Sequence, residues 1–340
     1  MLSEIEFAND CVIGVFDSGV GGFSVLRELK KSLPSASFVY YADTAHCPYG
    51  EKSPEYVLDR ARTITEILLA HGAKVIVIAC NTATSAAIAT LRREYSVPFV
   101  GMEPAVKPAA HLTRTGVVGV LATAGTLHGS KYLNVKEKFA DDVRIVESVG
   151  YGFVELVEHS HLADDCRRDC LFLTSAPDAR TDVGMSFPQI PPVQALQVLS
   201  APQTLATIDR SLRPLVEAGA DTIVLGCTHY PFLLPALRKA ASALLLDYPL
   251  KARDGSPVTE INFIDPAPAV AHRLLQVLQN EMTKANQKNK LIWNSNTHLC
   301  FSLAKTRLNT TKSRIRKSWF PPQNSRARRF SRSLRRLLHL

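Results

Sequence analysis

The chain has 340 residues, 46% of them hydrophobic, a formal net charge of +9 and a mean hydropathy near zero. That is enough for two ordinary domains with real cores, and no apolar run approaches the 18 or more residues of a membrane span. The charge is unevenly placed: residues 283–340 hold 15 Lys or Arg and no acid, leaving 25 basic and 31 acidic side chains in 1–282.

The N-terminus, "MLSEIEFANDCVIGVFDSG", carries Glu4, Glu6 and Asp10 where an export signal would be basic, so a cytoplasmic location is expected. Seven scattered cysteines (11, 47, 80, 166, 170, 227 and 300) fit reduced thiols in that compartment. Cys166 and Cys170 lack CxxC spacing and no His cluster completes a zinc set, so no metal is expected.

In chain order, short β-branched runs at 11–17, 37–43, 74–79, 97–101, 116–122, 143–148, 221–226 and 261–265 suit strands buried on both faces of a parallel sheet. The clearest helix is 53–70. Ser53 is its N-cap, Pro54 opens its first turn, and Val57, Ala61, Ile64 and Leu68 share one face. This alternation predicts an α/β fold with right-handed crossovers.

Residues 165–203 hold five prolines and little periodicity, and read as an inserted loop. Residues 283–340 lack the apolar content for a core and are expected to be a basic, disordered tail.

One unit repeats. "GAKVIVIACNTATSAAIATLR" (72–92) resembles "GADTIVLGCTHYPFLLPALR" (219–238), with the Gly-Ala, Ile-Val and Cys positions offset by 147. Each copy places a cysteine, Cys80 or Cys227, where a strand ends and a helix begins. A single such cysteine could be a small buried hydrophobe. Two at equivalent positions suit opposed acid/bases, one thiolate accepting a proton while one thiol donates. His229, two residues after Cys227, is placed to assist.

Ligands in open α/β sheets bind beyond the carboxyl ends of the strands. "FDSGVGG" (16–22) follows the first strand, but Ser24 stands where a dinucleotide fingerprint needs its third glycine. The glycines read as a tight strand-to-helix turn. Asp17 fits an N-cap or a catalytic carboxylate equally by position.

"IGVFDSGVGG", "DTAHCPYGEKS", "VIVIACNTAT" and "TIVLGCTHYP" together resemble the signature blocks of bacterial glutamate racemase, over about 11–164 and 204–282. The resemblance implies a cofactor-independent enzyme that interconverts L- and D-glutamate, a small-molecule substrate, and supplies D-glutamate for peptidoglycan. It implies catalytic roles for Cys80 (D-enantiomer) and Cys227 (L-enantiomer), supported by Asp17, His229 and Glu155. Substrate binding would fall to Asp17, Ser18, Tyr49, Gly50, Asn81, Thr82, Thr228 and His229.

The repeat and the resemblance together give two pseudo-symmetric α/β domains with mainly parallel sheets and the active site in the cleft between them. The first is 11–102 plus 229–282, and the second is 103–228 including the loop at 165–203, which either caps the cleft or decorates the surface. Aspartate racemisation is the nearest rival activity. The basic tail keeps a nucleic-acid-binding or gyrase-directed role open, beside that of an aberrant C-terminus. A homodimer is one compatible assembly.

Overall fold

The computed structural model describes residues 11–160, 162, 170–175 and 197–291, with the side chains of 284–291 left aside. Two sheets, all of whose strand pairs are parallel, lie in one compact unit. The first has the order β4 (Phe99–Gly101), β3 (Ala73–Ile78), β1 (Val12–Asp17), β2 (Ser37–Ala42) and β7 (Leu171–Thr174). The second runs β6 (Arg144–Val149), β5 (Val117–Ala122), β8 (Thr222–Gly226) and β9 (Asn262–Ile264). All eight expected strands form, with ends displaced by no more than two residues.

Strand alternation sorts the cores. In β1, Ile13 and Val15 face one side, with α1 (Phe23–Ser32) and α10 (Ala267–Leu291) supplying Phe23, Leu26 and Leu274. Phe16 faces the other side, where α2 (Pro54–Ala70) and α3 (Asn81–Glu94) bury Ile64, Leu68, Ile88 and Leu91. Ser53 caps α2 as its sequence requires, its side chain accepting the Tyr56 N–H at 3.2 Å.

In the second sheet, Val118, Val120 and Val224 pack against α4 (Val106–Leu112) and α6 (Ser130–Phe139). Leu121, Ile223 and Leu225 pack against α8 (Pro202–Glu217) and α9 (Leu234–Asp247). The apolar cluster holding Ile13 and Val15 also holds Ile223 and Leu225, so one core runs beneath both sheets. Each buried Leu or Ile contributes about 1.5–3 kcal/mol, and truncating Leu68 to alanine would cost about 2–5 kcal/mol.

Three boundaries differ from the sequence reading. Part of 229–282 belongs with the second sheet: β9 pairs with β8 and α9 packs on α8, and only α10 returns to α1. Part of the expected loop at 165–203 belongs with the first sheet, because Leu171–Thr174 adds as its edge strand on β2. Residues 165–169 and 176–196 lie outside the described residues. The expected tail from 283 begins as helix, since α10 runs to Leu291, and the remainder of 283–340 lies outside the described residues.

The repeat has a backbone counterpart. Gly72 and Gly219 both take positive φ, at 86° and 97°, the first directly before β3 and the second three residues before β8. Only glycine adopts that conformation without steric cost, so the same residue opens both units.

Candidate active site

Register brings the polar residues to the carboxyl edges of the two sheets. Asp17 ends β1 opposite Ala42 of β2, with Asp43 next in the chain, and β3 alongside leads to Cys80. In the second sheet Ala122 of β5 stands opposite Gly226 of β8, so Thr123 and Cys227 follow side by side. These segments line one cavity, bounded by Ser18, Tyr49, Gly50, Cys80, Asn81, Thr82, Thr123, Cys227, Thr228 and His229 among others.

Cys80 is the N-cap of α3, and its sulfur accepts the Ala83 N–H at 3.4 Å. Burial raises its pKa well above the ordinary thiol value, and the neighbouring Asp17 carboxylate raises it further. The α3 N-terminus works the other way, since its N–H groups and dipole favour a thiolate. Asn81, 5% exposed and facing the cavity, has neither its amide oxygen nor its amide nitrogen bonded within the protein. A buried amide left this way costs about 1–3 kcal/mol, which a polar ligand would recover.

Asp17 is fully buried. Its carboxylate accepts the Gly22 N–H at 2.6 Å and the Thr228 hydroxyl at 3.1 Å. Burial raises its pKa despite the lowering influence of His229.

On the opposite side, the Cys227 sulfur lies 3.6 Å from Nδ1 of His229. His229 Nε2 lies 2.6 Å from Oε1 of Glu158, which also accepts the Val20 N–H at 2.7 Å. Burial disfavours a charged ring. The bonds to Cys227 and Glu158 outweigh that, and His229 holds its proton well above the ordinary histidine pKa.

The structure corrects one site residue. Glu155 is exposed on α7 (Phe153–His159), and Glu158, three residues on, is the carboxylate at His229. The signal was available: Val154 and Val157 are buried, and on a helix Glu158 shares their face whereas Glu155 does not.

The glycines of "GVGG" also have a fuller explanation. A Cβ on Gly19 would collide with the Glu158 carboxylate, and one on Gly21 with the His229 ring. Neither takes a positive φ. The loop is glycine-rich because side chains of the second lobe press against its backbone.

Two supports were not evident from sequence. Asp43 is fully buried and receives Arg60 through two bonds of 2.9 and 2.8 Å, together with the Tyr49 hydroxyl. Burial opposes the Asp43 charge, but these bonds bring its pKa below the usual carboxylate value. Tyr49 therefore spends its hydroxyl on Asp43 and offers the cavity its ring. Thr82, Thr123 and Thr126 form a ring of hydroxyls 3.0–3.3 Å apart, joining the start of α3 to α5 (Ala124–Leu127) across the cleft.

Residues 15–170 match the family described as Asp/Glu/hydantoin racemase. A glutamate racemase of Ectopseudomonas mendocina is 43% identical over 276 residues, covering 81% of this chain and 85% of its own length. The chain belongs to the glutamate racemase family. Another glutamate racemase, from Pseudomonas aeruginosa, is 44% identical over 267 residues, covering 78% of this chain and 81% of its own. Among solved structures, Escherichia coli glutamate racemase with L-glutamate and the activator UDP-MurNAc-Ala aligns with a TM-score of 0.57 at 29% identity, covering 79% of this chain and 82% of that one. Glutamate racemase from Thermus thermophilus with β-chloro-D-alanine aligns at 0.53 and 29% identity, covering 80% and 82%. As a member of this family the chain is an isomerase, and among its described residues no helix is long and apolar enough to cross a membrane.

Proposed function

We propose that this racemase interconverts L- and D-glutamate without pyridoxal phosphate, using Cys80 and Cys227 as acid/bases on opposite faces of Cα. The observation that carries the reading is the pair of thiols at equivalent ends of a repeated unit, both lining a cavity that also holds the unbonded Asn81 amide. With L-glutamate bound, Cys227 as thiolate removes the α-proton and the neutral Cys80 thiol delivers its own proton to the other face. The reverse reaction inverts these roles. The carboxylate beside Cys80 favours the thiol there, and the His229 ring beside Cys227 can take up the proton of that sulfur as neutral imidazole and return it as imidazolium. That distribution suits an enzyme waiting for L-glutamate.

The α-proton is weakly acidic, so negative charge developing on the substrate carboxylate needs fixed donors. The first N–H groups of α3, at Asn81 and Thr82, have no intrahelical acceptors and supply that field. Asn81, Thr82, Thr228 and Ser18 hold the amino acid, and Tyr49 and Gly50 close the wall beside it. Work in the cytoplasm, with D-glutamate destined for peptidoglycan, completes the proposal.

The test is a circular-dichroism racemisation assay on L-glutamate and L-aspartate with protein freed of pyridoxal phosphate. Glutamate should racemise to zero ellipticity and aspartate much more slowly. Dependence on added pyridoxal phosphate, or a preference for aspartate, would overturn it.

A further inference from the structure

Cys47, Glu158 and His229 come from three distant segments: the loop after β2, helix α7, and the turn after β8. Their ligand atoms nevertheless all lie within 4.8 Å of one another. Spacing rules for metal motifs read ligands close in sequence, so this set is invisible to them.

We propose that these three side chains form a binding site for a thiophilic divalent cation of the Zn2+ type, and that filling it switches the enzyme off. The donor chemistry selects the ion. Thiolate, imidazole and carboxylate together suit Zn2+, whereas Mg2+ and Ca2+ take oxygen ligands. The charges also close, since one thiolate and one carboxylate neutralise a divalent cation. Three protein ligands leave the fourth tetrahedral position to water or another small ligand. A pocket of about 350 Å³, lined by Val20, Thr44, Cys47 and Glu158 among others, gives the ion a route in.

Ligation requires a small rearrangement. Zinc–ligand bonds of about 2.0–2.3 Å put neighbouring donors about 3.5 Å apart. The Glu158–His229 pair, now at 2.6 Å, must open by about 1 Å. On binding, the Cys47 thiol loses its proton to solvent as the sulfur–metal bond forms. The ligating ring nitrogen of His229 also releases its proton, and no electron is transferred. The metal-free arrangement is already held by the bonds of Glu158 to His229 and Val20, so the ion is a regulator and not a structural support. Inhibition, unlike binding, rests on the proposed service of His229 to Cys227.

Full-length protein stripped with chelator and then given Co2+ should show tetrahedral d–d bands and a thiolate-to-cobalt charge-transfer band. Cys47→Ser should abolish the charge-transfer band, weaken Zn2+ binding by at least about 100-fold, and leave metal-free racemisation within about twofold. Cys80→Ser/Cys227→Ser protein should keep the band, excluding capture by the cavity thiols. Zn2+ should inhibit the unsubstituted enzyme and spare Cys47→Ser. A charge-transfer band that survives Cys47→Ser, or disappears only with Cys80 and Cys227, would overturn the site. Zn2+ binding at Cys47 without loss of racemisation would overturn the switch. The cobalt spectrum reads the site even on a protein that fails to racemise glutamate.

Discussion

The Cys80 and Cys227 corners are built from one repeated unit and differ in how they treat a proton. At Cys80 the sulfur caps a 14-residue α-helix and sits beside the buried Asp17. At Cys227 the chain passes into a 3-10 turn at Tyr230–Leu233, and the sulfur faces the protonated His229 instead of a helix N–H. A carboxylate on one side and an imidazolium on the other make a symmetric scaffold chemically unsymmetric. The difference comes from His229 and the 3-10 turn within the second copy, together with Asp17 and Glu158, which lie outside the repeat.

The sharpest way to break this comparison is to remove one thiol at a time. Cys80→Ala and Cys227→Ala should each lower racemisation by about 10⁴-fold, the upper range for a lost acid/base. Each should retain a half-reaction on one enantiomer only. Cys80→Ala should wash solvent deuterium into L-glutamate with retention, and Cys227→Ala into D-glutamate, as followed by proton NMR. Washout of both enantiomers by either variant would show that one sulfur reaches both faces.

Next in size, His229→Asn should reduce kcat/KM by about 10²-fold. The reduction should be equal in both directions, because the equilibrium constant of a racemisation is one. Washout of L-glutamate by the Cys80→Ala background should fall with it, while washout of D-glutamate by Cys227→Ala should change less.

Glu158→Gln should cost about 10-fold through a weakened His229 partner, in the range of an outer support. Glu155→Gln should stay within about twofold, checked by the same initial rates. Equal losses would return the role to Glu155.

The smallest effect is a displaced pH profile. Activity needs one thiolate and one thiol, so kcat/KM should be bell-shaped with apparent pKa values belonging to the pair. Burial and Asp17 both raise the Cys80 pKa, so the alkaline limb should lie above the value of about 8.5 for a free thiol. Asp17→Asn removes a negative neighbour, favours the thiolate and should move that limb to lower pH. Movement to higher pH would contradict the assignment.

Much of this arrangement is legible in sequence because it rests on local chemistry. The β-branched runs, the Ser53-Pro54 cap and the 147-residue offset each depend on residues close to one another or on a matched pattern. What was not legible depends on tertiary placement. "INFID" reads as a strand, yet pairing with β8 decides its sheet. Leu171–Thr174 is a four-residue edge strand inside a proline-rich segment, too short to show a period. Gly19 and Gly21 read as turn residues, and their closeness to Glu158 and His229 exists only once the second lobe is in place. Glu155 lies three residues before Glu158, and only the buried face of α7, set by Val154 and Val157, points to Glu158 as the carboxylate at His229.

The two-thiol account is tested most directly by racemising protiated L-glutamate in deuterated water and stopping at low conversion. The account predicts D-glutamate carrying one α-deuterium and recovered L-glutamate still protiated, because the abstracting and donating sulfurs are different. Deuterium appearing equally in both enantiomers from the first turnovers would contradict it.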